Sequence, residues 1–236
     1  MIGRASGWLL GTAVWALSAG CAGPQPVRPT LMNCQTLRMS VANGTERMEF
    51  PSWGFSVQPP SGDHWCRGRS SPNGAMFVSN PFLGQVVDKR PSDAEVRHSL
   101  VLMVAADDVP NDKRIETEAE MIAFLERQFL GKRPGSRFTV VESKFTQDAS
   151  LGAECVRFDA VIEERDNPDA RNLVLIGVMR DSFLCRHPNA RTPTLVLISV
   201  SERYVQGTLA GTPLLIDTLR AEWHASVRSV QFTPRL

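Results

Sequence analysis

Cysteine is the residue type with the clearest chemical potential in this chain, because thiols form disulfides, bind metals and accept lipids. The sequence of 236 residues contains five of them. Four follow Cys21, and an even number of cysteines in an exported chain indicates two disulfides. Of the three possible connectivities, we favour the one that joins neighbouring elements of the sequence, namely Cys34 with Cys66 and Cys155 with Cys185.

Metal binding is the alternative use of these thiols, with Cys155, Cys185 and His187 as the obvious ligand set. The chain has no C-x-x-C pair, and tetrahedral zinc sites normally use tighter ligand spacing. We therefore predict a disulfide and assign no metal site and no cofactor.

Catalytic constellations are not evident from the other polar residues. The four histidines, at positions 64, 98, 187 and 224, are scattered along the chain. The sequence contains no G-x-S-x-G elbow, H-E-x-x-H pair, P-loop or dinucleotide fingerprint. We assign no catalytic residue, so an enzyme here would be a cryptic envelope hydrolase.

The most distinctive polar string runs over residues 181–188 and ends in Cys185-Arg186-His187-Pro188. We hypothesise that Glu202 and Arg203 support a polar network around His187, which would make this corner a binding site. The alternative is a purely structural corner held by a disulfide. Two loop tryptophans, Trp53 and Trp65, are likewise either packing residues or a platform for a ligand.

Residues 1–20 predict a cleavable export signal. Arg4 supplies one positive charge before an apolar run over residues 7–16. That run is about half of the roughly 20 apolar residues needed to cross a membrane, so it fits a signal peptide better than a transmembrane helix.

The string Leu17-Ser18-Ala19-Gly20-Cys21 resembles the bacterial lipobox. It departs from the common pattern in placing Ser18, where leucine is more usual, three positions before the cysteine. The resemblance implies cleavage after Gly20, attachment of diacylglycerol to the Cys21 thiol and acylation of the new amino terminus. Because two or three acyl chains anchor a protein much more firmly than one, we expect a membrane-bound lipoprotein of the cell envelope.

Residues 21–31 follow as a lipidated cysteine and a proline-rich, extended tether. Ala22 directly after Cys21 implies sorting to the outer membrane, facing the periplasm. Residues 32–236 are predicted to form a single envelope domain, since their number suits one hydrophobic core.

The charge balance excludes one class of partner. The whole chain carries 26 basic and 25 acidic residues. Nucleic-acid binding is dominated by phosphate contacts and calls for a basic surface. We therefore expect no nucleic-acid partner.

Strand patterns occur in the first half of the chain. Asn43-Gly44 favours a tight turn between residues 37–42 and 45–50, which predicts a hairpin. The apolar run over residues 100–104 predicts a buried strand. Ile115, Ile122, Leu125 and Phe129 then recur at helical spacing before Gly131, which predicts an amphipathic helix with Phe129 on its buried stripe.

The second half predicts a hairpin from residues 155–162 and 173–179, and a further strand over residues 194–200. Thr212 and Pro213 then suit the start of a helix, and its buried stripe is Ile216, Leu219, Trp223 and Val227. Consecutive hairpins with two long helices predict an α+β fold, an antiparallel sheet of about six or more strands covered by two main helices.

The strings Gly54-Phe55-Ser56-Val57 and Pro59-Pro60, a hairpin introduced by Gly152, and the ending Ser229-Val230-Gln231-Phe232 give residues 50–232 a layout that resembles the PsbP-like family. The resemblance implies an α/β/α sandwich and a protein that acts by binding partners in the envelope. Together with the lipobox, it leads us to expect a non-catalytic binding or assembly module whose partner is an envelope protein.

Overall fold

A computed structural model of the chain describes residues 31–35, 39–68, 70–79, 98–109, 115–131, 135–166, 173–209 and 213–235. The predictions made for residues 1–30, including the export signal, lipidation at Cys21 and the tether up to Thr30, lie outside these ranges. No helix within the described ranges is both long enough and apolar enough to cross a bilayer.

Strands account for most of the regular structure. In chain order they are β1 (Ser40–Val41), β2 (Met48–Phe50), β3 (Phe55–Val57), β4 (Cys66–Arg67), β5 (Gly74–Ser79), β6 (Ser99–Asp108), β7 (Phe138–Asp148), β8 (Glu154–Glu164), β9 (Leu175–Arg186), β10 (Thr194–Val205) and β11 (Gln231–Phe232). Eight of them form one antiparallel sheet in the order β1-β4-β5-β6-β10-β9-β8-β7, and β11, β3 and β2 form a small second sheet.

The helices are short by comparison. They are α1 (Glu118–Gln128), α2 (Leu215–Thr218) and α3 (Arg220–Arg228), and a 3-10 turn spans Pro51–Trp53. Thr117 caps α1, because its hydroxyl accepts from the Glu120 N–H at 3.2 Å while the Glu120 carboxylate accepts from the Thr117 N–H at 2.8 Å. Backbone donation from Glu116 and Thr117 lowers the pKa of Glu120.

Alternation along the long strands builds a core on each face of the large sheet. In β6, Leu100, Leu102 and Val104 are buried on one face. That face packs against the small sheet, α2 and α3 through Phe55 and Trp223. The opposite face carries a second core, which contains Val156, Phe158, Leu184 and Leu197 from the sheet and Met121 and Leu125 from α1. Only α1 among the described helices contributes to this second core.

The expected α+β fold, a sheet covered by two main helices, is wrong. The described part of the chain has 11 strands, with 46% of its residues in strands and 16% in helices, and is β-rich. Two physical reasons account for the difference. The strands β7 to β10 run for 11 or 12 residues each, and the final helical stripe is interrupted at Leu219, which ends α2 before α3 begins.

The disulfides pair as the sequence predicted. Cys34 is bonded to Cys66, which brings residues 31–35 onto β4, and Cys155 is bonded to Cys185. The second pair lies directly opposite on β8 and β9, with a Cα–Cα distance of 4.0 Å. All four cysteines are buried.

The described large sheet ends at β7, and each of the 11 residues of this strand is exposed or half-buried. The register with β8 shifts between Val140 and Glu142, so Val141 is an extra residue that forms a β-bulge and is 59% exposed. Lys144 lies opposite Asp159 of β8. The edge strand is therefore long, but it is bent at the bulge and carries charged side chains.

Arg235 fastens the C-terminal segment to the end of β6. Its guanidinium pairs with both oxygens of Asp108, at 2.7 and 3.2 Å, and donates to the Ser52 carbonyl at 2.7 Å. It also lies over the ring of Trp53, at 4.7 Å from the centroid. The hydrogen bond from Arg235 is the main reason that the pKa of Asp108 is lowered, against the opposing effect of desolvation.

We expect the stabilising effect of Arg235 to depend on pH. A carboxyl with a lowered pKa in the folded state stabilises fully above its unfolded pKa of about 3.9, and this contribution is lost as pH falls through the lowered value. Arg235→Leu should therefore destabilise the protein at pH 7 and have little effect near pH 2. Urea denaturation of both proteins at a series of pH values measures this. An equal loss at every pH would assign the role of Arg235 to packing on Trp53 alone.

Candidate functional site

The side chains of the corner Cys185-Arg186-His187-Pro188 are held by a disulfide, hydrogen bonds and an ion pair within the fold. His187 is buried, its Nε2 donates to the Gly54 carbonyl at 2.7 Å and its Nδ1 accepts from the Asn189 N–H at 3.1 Å. Arg186 pairs with Glu154 at 3.3 Å and donates to the Glu116 carbonyl. A shallow depression beside the corner is lined by Gly152, Glu154, Arg186, His187 and Pro188 among others. Both ring nitrogens of His187 are hydrogen-bonded and Arg186 contacts Glu154 and Glu116, although Arg186 Nε is buried without a hydrogen-bond partner in the described ranges.

Gly54 is the residue that allows His187 to approach this closely. Its φ of +65° is a left-handed conformation, and an added Cβ would lie 2.6 Å from the Thr233 carbonyl oxygen and 2.7 Å from His187 Nε2. Gly54→Ala is expected to lower the free energy of unfolding by about 1–3 kcal/mol. Gly207→Ala is the matched control, because Gly207 has a φ of +84° with no atom within 4 Å of the added Cβ. Chemical denaturation that gave equal losses for both variants would contradict the close packing against His187.

Glu202 and Arg203 do not contact His187, contrary to the predicted polar network. As neighbours on β10 they point to opposite faces of the sheet. Glu202 is completely buried and accepts from His98 Nε2 at 2.6 Å and from the Ile216 N–H at 2.8 Å. Burial and the Glu202 charge raise the pKa of Tyr204. Arg203 lies on the α1 face, where it pairs with Glu164.

The two tryptophans are packing residues. Trp65 is fully buried, and its indole N–H donates to Glu222 at 2.8 Å, on the carboxylate oxygen that also contacts His64 at 2.8 Å. The Trp53 ring is half-buried and covered by Arg235. Neither is arranged as an open platform for a ligand.

Two neighbouring cavities lie beside α1 on the second face of the sheet. The Phe129 side chain lines both of them, and we treat them as the two lobes of one cleft. Phe129 caps the C-terminus of α1 and is 38% exposed, although the helical spacing predicted it to be buried. We call the whole feature the α1 cleft.

The apolar lobe has a cavity volume of about 150 Å³ at the C-terminal end of β6. Its polar side chains are mostly engaged elsewhere, since Asn73 donates to the Ala106 carbonyl at 2.9 Å and Asp108 is held by Arg235. Asp107 adds an acidic group at the rim. The apolar lining comes from Met103, Ala105, Ala106, Val109, Phe124, Phe129, Leu184, Leu195 and Leu197.

The arginine lobe has a larger cavity volume of about 290 Å³ and lies near the C-terminal end of β10, whereas the apolar lobe lies near the N-terminal end of that strand. Glu164 is buried there between two guanidinium groups: its Oε1 lies 2.9 Å from Arg137 Nε and its Oε2 lies 2.6 Å from Arg203 Nη2. The two arginine side chains are 45% and 44% exposed. The other lining residues are apolar or small: Phe129, Phe138, Ile162, Leu175, Gly177, Met179 and Ser201, with Glu202 beneath.

Two exposed phenylalanines, Phe129 and Phe138, line the arginine lobe. Phe138 is 37% exposed and lies 5.1 Å from the Arg137 guanidinium. Of the four large hydrophobic side chains that are exposed in the described part of the chain, Phe129, Phe138 and Val141 all lie on α1 or the adjoining edge strand β7, and Val41 lies at the other end of the sheet. An exposed apolar patch beside a cavity is typical of a binding surface.

No protein-family model and no curated protein matches this chain significantly. The resemblance to the PsbP-like family therefore stays a prediction.

Three of the four described histidines are engaged with carboxylates or backbone groups: His64 contacts Glu222, His98 contacts Glu202, and His187 bonds to the Gly54 carbonyl. His224 packs edge-on against Trp223. Within the described ranges no hydrogen bond links a serine, threonine or cysteine side chain to any of these imidazole rings, and a hydrolase of the expected type needs that contact. In the same ranges no group of three or more His, Cys, Asp or Glu side chains is placed to hold a metal ion.

Sequence reasoning missed the α1 cleft as a site. Arg137, Glu164 and Arg203 come from three strand ends that are far apart in the chain. Of the three, only Arg203 is predicted from the sequence as a site residue, and it is predicted at the corner around His187. The one local signal was Phe129, a large apolar residue two positions before the helix-ending Gly131, where the last turn of a helix often leaves the core.

Proposed function

We propose that this chain is a membrane-anchored envelope lipoprotein that acts by binding rather than catalysis, with the α1 cleft as its binding surface. The lipobox at Cys21 supports the anchor, and two buried disulfides are in keeping with an oxidising compartment such as the periplasm. The proposed location is the outer membrane, with the domain facing the periplasm.

One observation carries the binding function. Two cavities that share Phe129 lie side by side, one mainly apolar and the other containing an ion cluster, and the exposed phenylalanines Phe129 and Phe138 line the second. Pockets that bind ligands are generally concave and mostly apolar with a few well-placed polar groups. An envelope protein remains the partner expected from the sequence.

The competing functions are less well supported. A metal site at Cys155, Cys185 and His187 would need free thiols, but the two cysteines are bonded to each other and the His187 ring is hydrogen-bonded on both nitrogens. A hydrolase would need a nucleophile aligned with a base, and in the described ranges His64, His98 and His187 are engaged with carboxylates or a backbone carbonyl.

Intact mass of the protein purified from membranes tests the anchor. We expect a chain that begins at Cys21 and carries diacylglycerol and an N-linked acyl chain, with four thiols detected only after reduction. Cys21→Ala should lose the acyl mass and fail to be processed at Gly20. An unacylated native product would contradict the lipoprotein assignment.

Site-specific photocrosslinking in cells tests the binding surface. A benzophenone-bearing phenylalanine analogue placed at Phe129 should form a defined adduct, and peptide mapping should locate it in the α1 cleft. Val41 is the matched control, because it is also exposed, at 48%, but lies on β1 at the far end of the sheet. Equal adduct formation at both positions would argue against a specific surface at α1.

A further inference from the structure

We infer that the α1 cleft binds an amphiphile with one long acyl chain and an anionic head, the head at the arginine lobe and the chain passing Phe129 into the apolar lobe. This inference rests on the proposed binding function and names the class of ligand.

The arginine lobe provides charge complementarity for an anionic head. Two arginines and two glutamates line the lobe, and the formal charges of Arg137, Arg203, Glu164 and Glu202 cancel. The two guanidinium groups are about half exposed, whereas the Glu164 and Glu202 side chains are 8% and 0% exposed, so the charged groups that a ligand meets are the guanidinium groups. A guanidinium has five N–H donors, and a fork of two of them matches a carboxylate or phosphate. Glu164 pairs with Arg137 through Nε and with Arg203 through Nη2, so it orients both groups at the mouth of the lobe.

The apolar lobe favours an acyl chain over a peptide. A peptide would bury backbone N–H and C=O groups, each of which costs free energy unless it is hydrogen-bonded. The lobe is lined mainly by aliphatic and aromatic side chains, and the side chains of Asn73 and Asp108 already bond within the fold. An acyl chain needs no hydrogen-bonding partner and contributes about 0.8 kcal/mol for each buried methylene.

Phe129 lies between the two lobes. It lines both cavities, packs edge-to-face with Phe124 at a centroid distance of 5.9 Å, and keeps 38% of its surface exposed at the end of α1. A flexible chain whose head is held by the arginines would therefore contact Phe129 before reaching Leu184 and Leu197.

Photolabelling of the full-length chain tests this inference. The protein is purified in a neutral maltoside detergent and irradiated with hexadecanoic acid that carries a diazirine on its chain, and labelled peptides are mapped by mass spectrometry. Label is expected in the peptides that contain Phe129 and Leu197. Unlabelled hexadecanoate should compete about tenfold more strongly than hexadecanol, because a charged hydrogen bond is worth at least a factor of about ten in affinity.

Two charge variants should move this competition in opposite directions. Arg203→Gln should weaken hexadecanoate about tenfold and leave hexadecanol unchanged, whereas Glu164→Gln frees both guanidinium groups and should strengthen hexadecanoate several-fold. Arg165→Gln is the matched control. Arg165 is an exposed arginine directly after β8, the strand that carries Glu164, and it pairs with Glu163. This variant should change the binding of neither hexadecanoate nor hexadecanol. Thermal unfolding of each variant confirms that it is folded.

Three results would overturn the inference. They are labelling that ignores the charge of the competitor, a Glu164→Gln variant that binds hexadecanoate more weakly, and competition by an extended apolar peptide in place of the fatty acid. None of these results decides the outcome of the crosslinking test at Phe129, which tests the binding function separately. A cleft that captures a protein adduct at Phe129 but no fatty acid would keep the binding function and reject the acyl ligand.

Discussion

Replacing His98 by leucine is expected to lower the free energy of unfolding by about 3–5 kcal/mol, because it leaves a buried carboxylate without its main partner. Glu202 is completely buried, and the His98 ring at 2.6 Å is its closest contact. Without that ring the carboxylate retains the Ile216 N–H. Urea denaturation followed by far-ultraviolet circular dichroism measures the loss.

His64→Leu is the control for this variant. His64 and Glu222 lie 2.8 Å apart, but the Glu222 side chain is 29% exposed and also accepts from Trp65, so we expect a loss of only about 1 kcal/mol. Replacing His98 and Glu202 together by leucine should recover much of the loss, since removing both members of a buried pair is often nearly neutral. Equal losses for His98→Leu and His64→Leu would show that burial of Glu202 is not what makes this pair important.

Removal of either disulfide is expected to cost about 3–4 kcal/mol, since each closes a loop of similar length. The bonded cysteines are 32 and 30 residues apart. Cys34→Ala/Cys66→Ala and Cys155→Ala/Cys185→Ala are the variants to compare by chemical denaturation. The reduced wild-type protein should match the sum of the two losses.

The two disulfide variants should differ in where they loosen the structure. Cys155 and Cys185 lie on strands that are already paired over their whole length, so their loss should reduce global stability. Cys34 holds residues 31–35 against β4, a strand of two residues, so its loss should also increase hydrogen exchange locally at the start of the domain. Uniform exchange in both variants, or a cost below about 1 kcal/mol for either, would contradict these roles.

The long central strands could be predicted because their side chains alternate. The apolar run over residues 100–104 and the hairpin at residues 155–162 and 173–179 both correspond to strands of the large sheet. The stripe of Ile216, Leu219, Trp223 and Val227 is buried as expected. These features depend on local periodicity, which a single sequence displays directly.

The hairpin predicted around Asn43-Gly44 is wrong, because tertiary contacts override the turn. Asn43 does form a local turn, with the Thr45 N–H bonded to its side chain at 3.2 Å. The Ala42 N–H, however, donates to the Trp65 carbonyl at 2.7 Å, and β1 pairs with β4. The strand after the turn, β2, pairs with β3 in the small sheet. The pairing of β1 with the distant strand β4 leaves no periodic signal in the sequence.

The α1 cleft could not be predicted for a related reason. It depends on how far α1 extends across the sheet, and Phe129 is exposed because the helix ends there rather than because its spacing changes. Arg137, Glu164 and Arg203 meet only once β7, β8, β9 and β10 are aligned in register. Sequence spacing between residues on different strands carries no information about that alignment.

The bulge at Val141 has a consequence for copies of the protein that a lipid anchor would confine to a two-dimensional surface. Confinement raises local concentration, and an open strand of 11 residues would then be a template for lateral polymerisation. The extra residue breaks the regular spacing of the outward N–H and C=O groups, and Glu142 and Lys144 place charges beside the break. Copies crowded in this way would therefore meet a bent, charged edge that resists pairing of one sheet with the next.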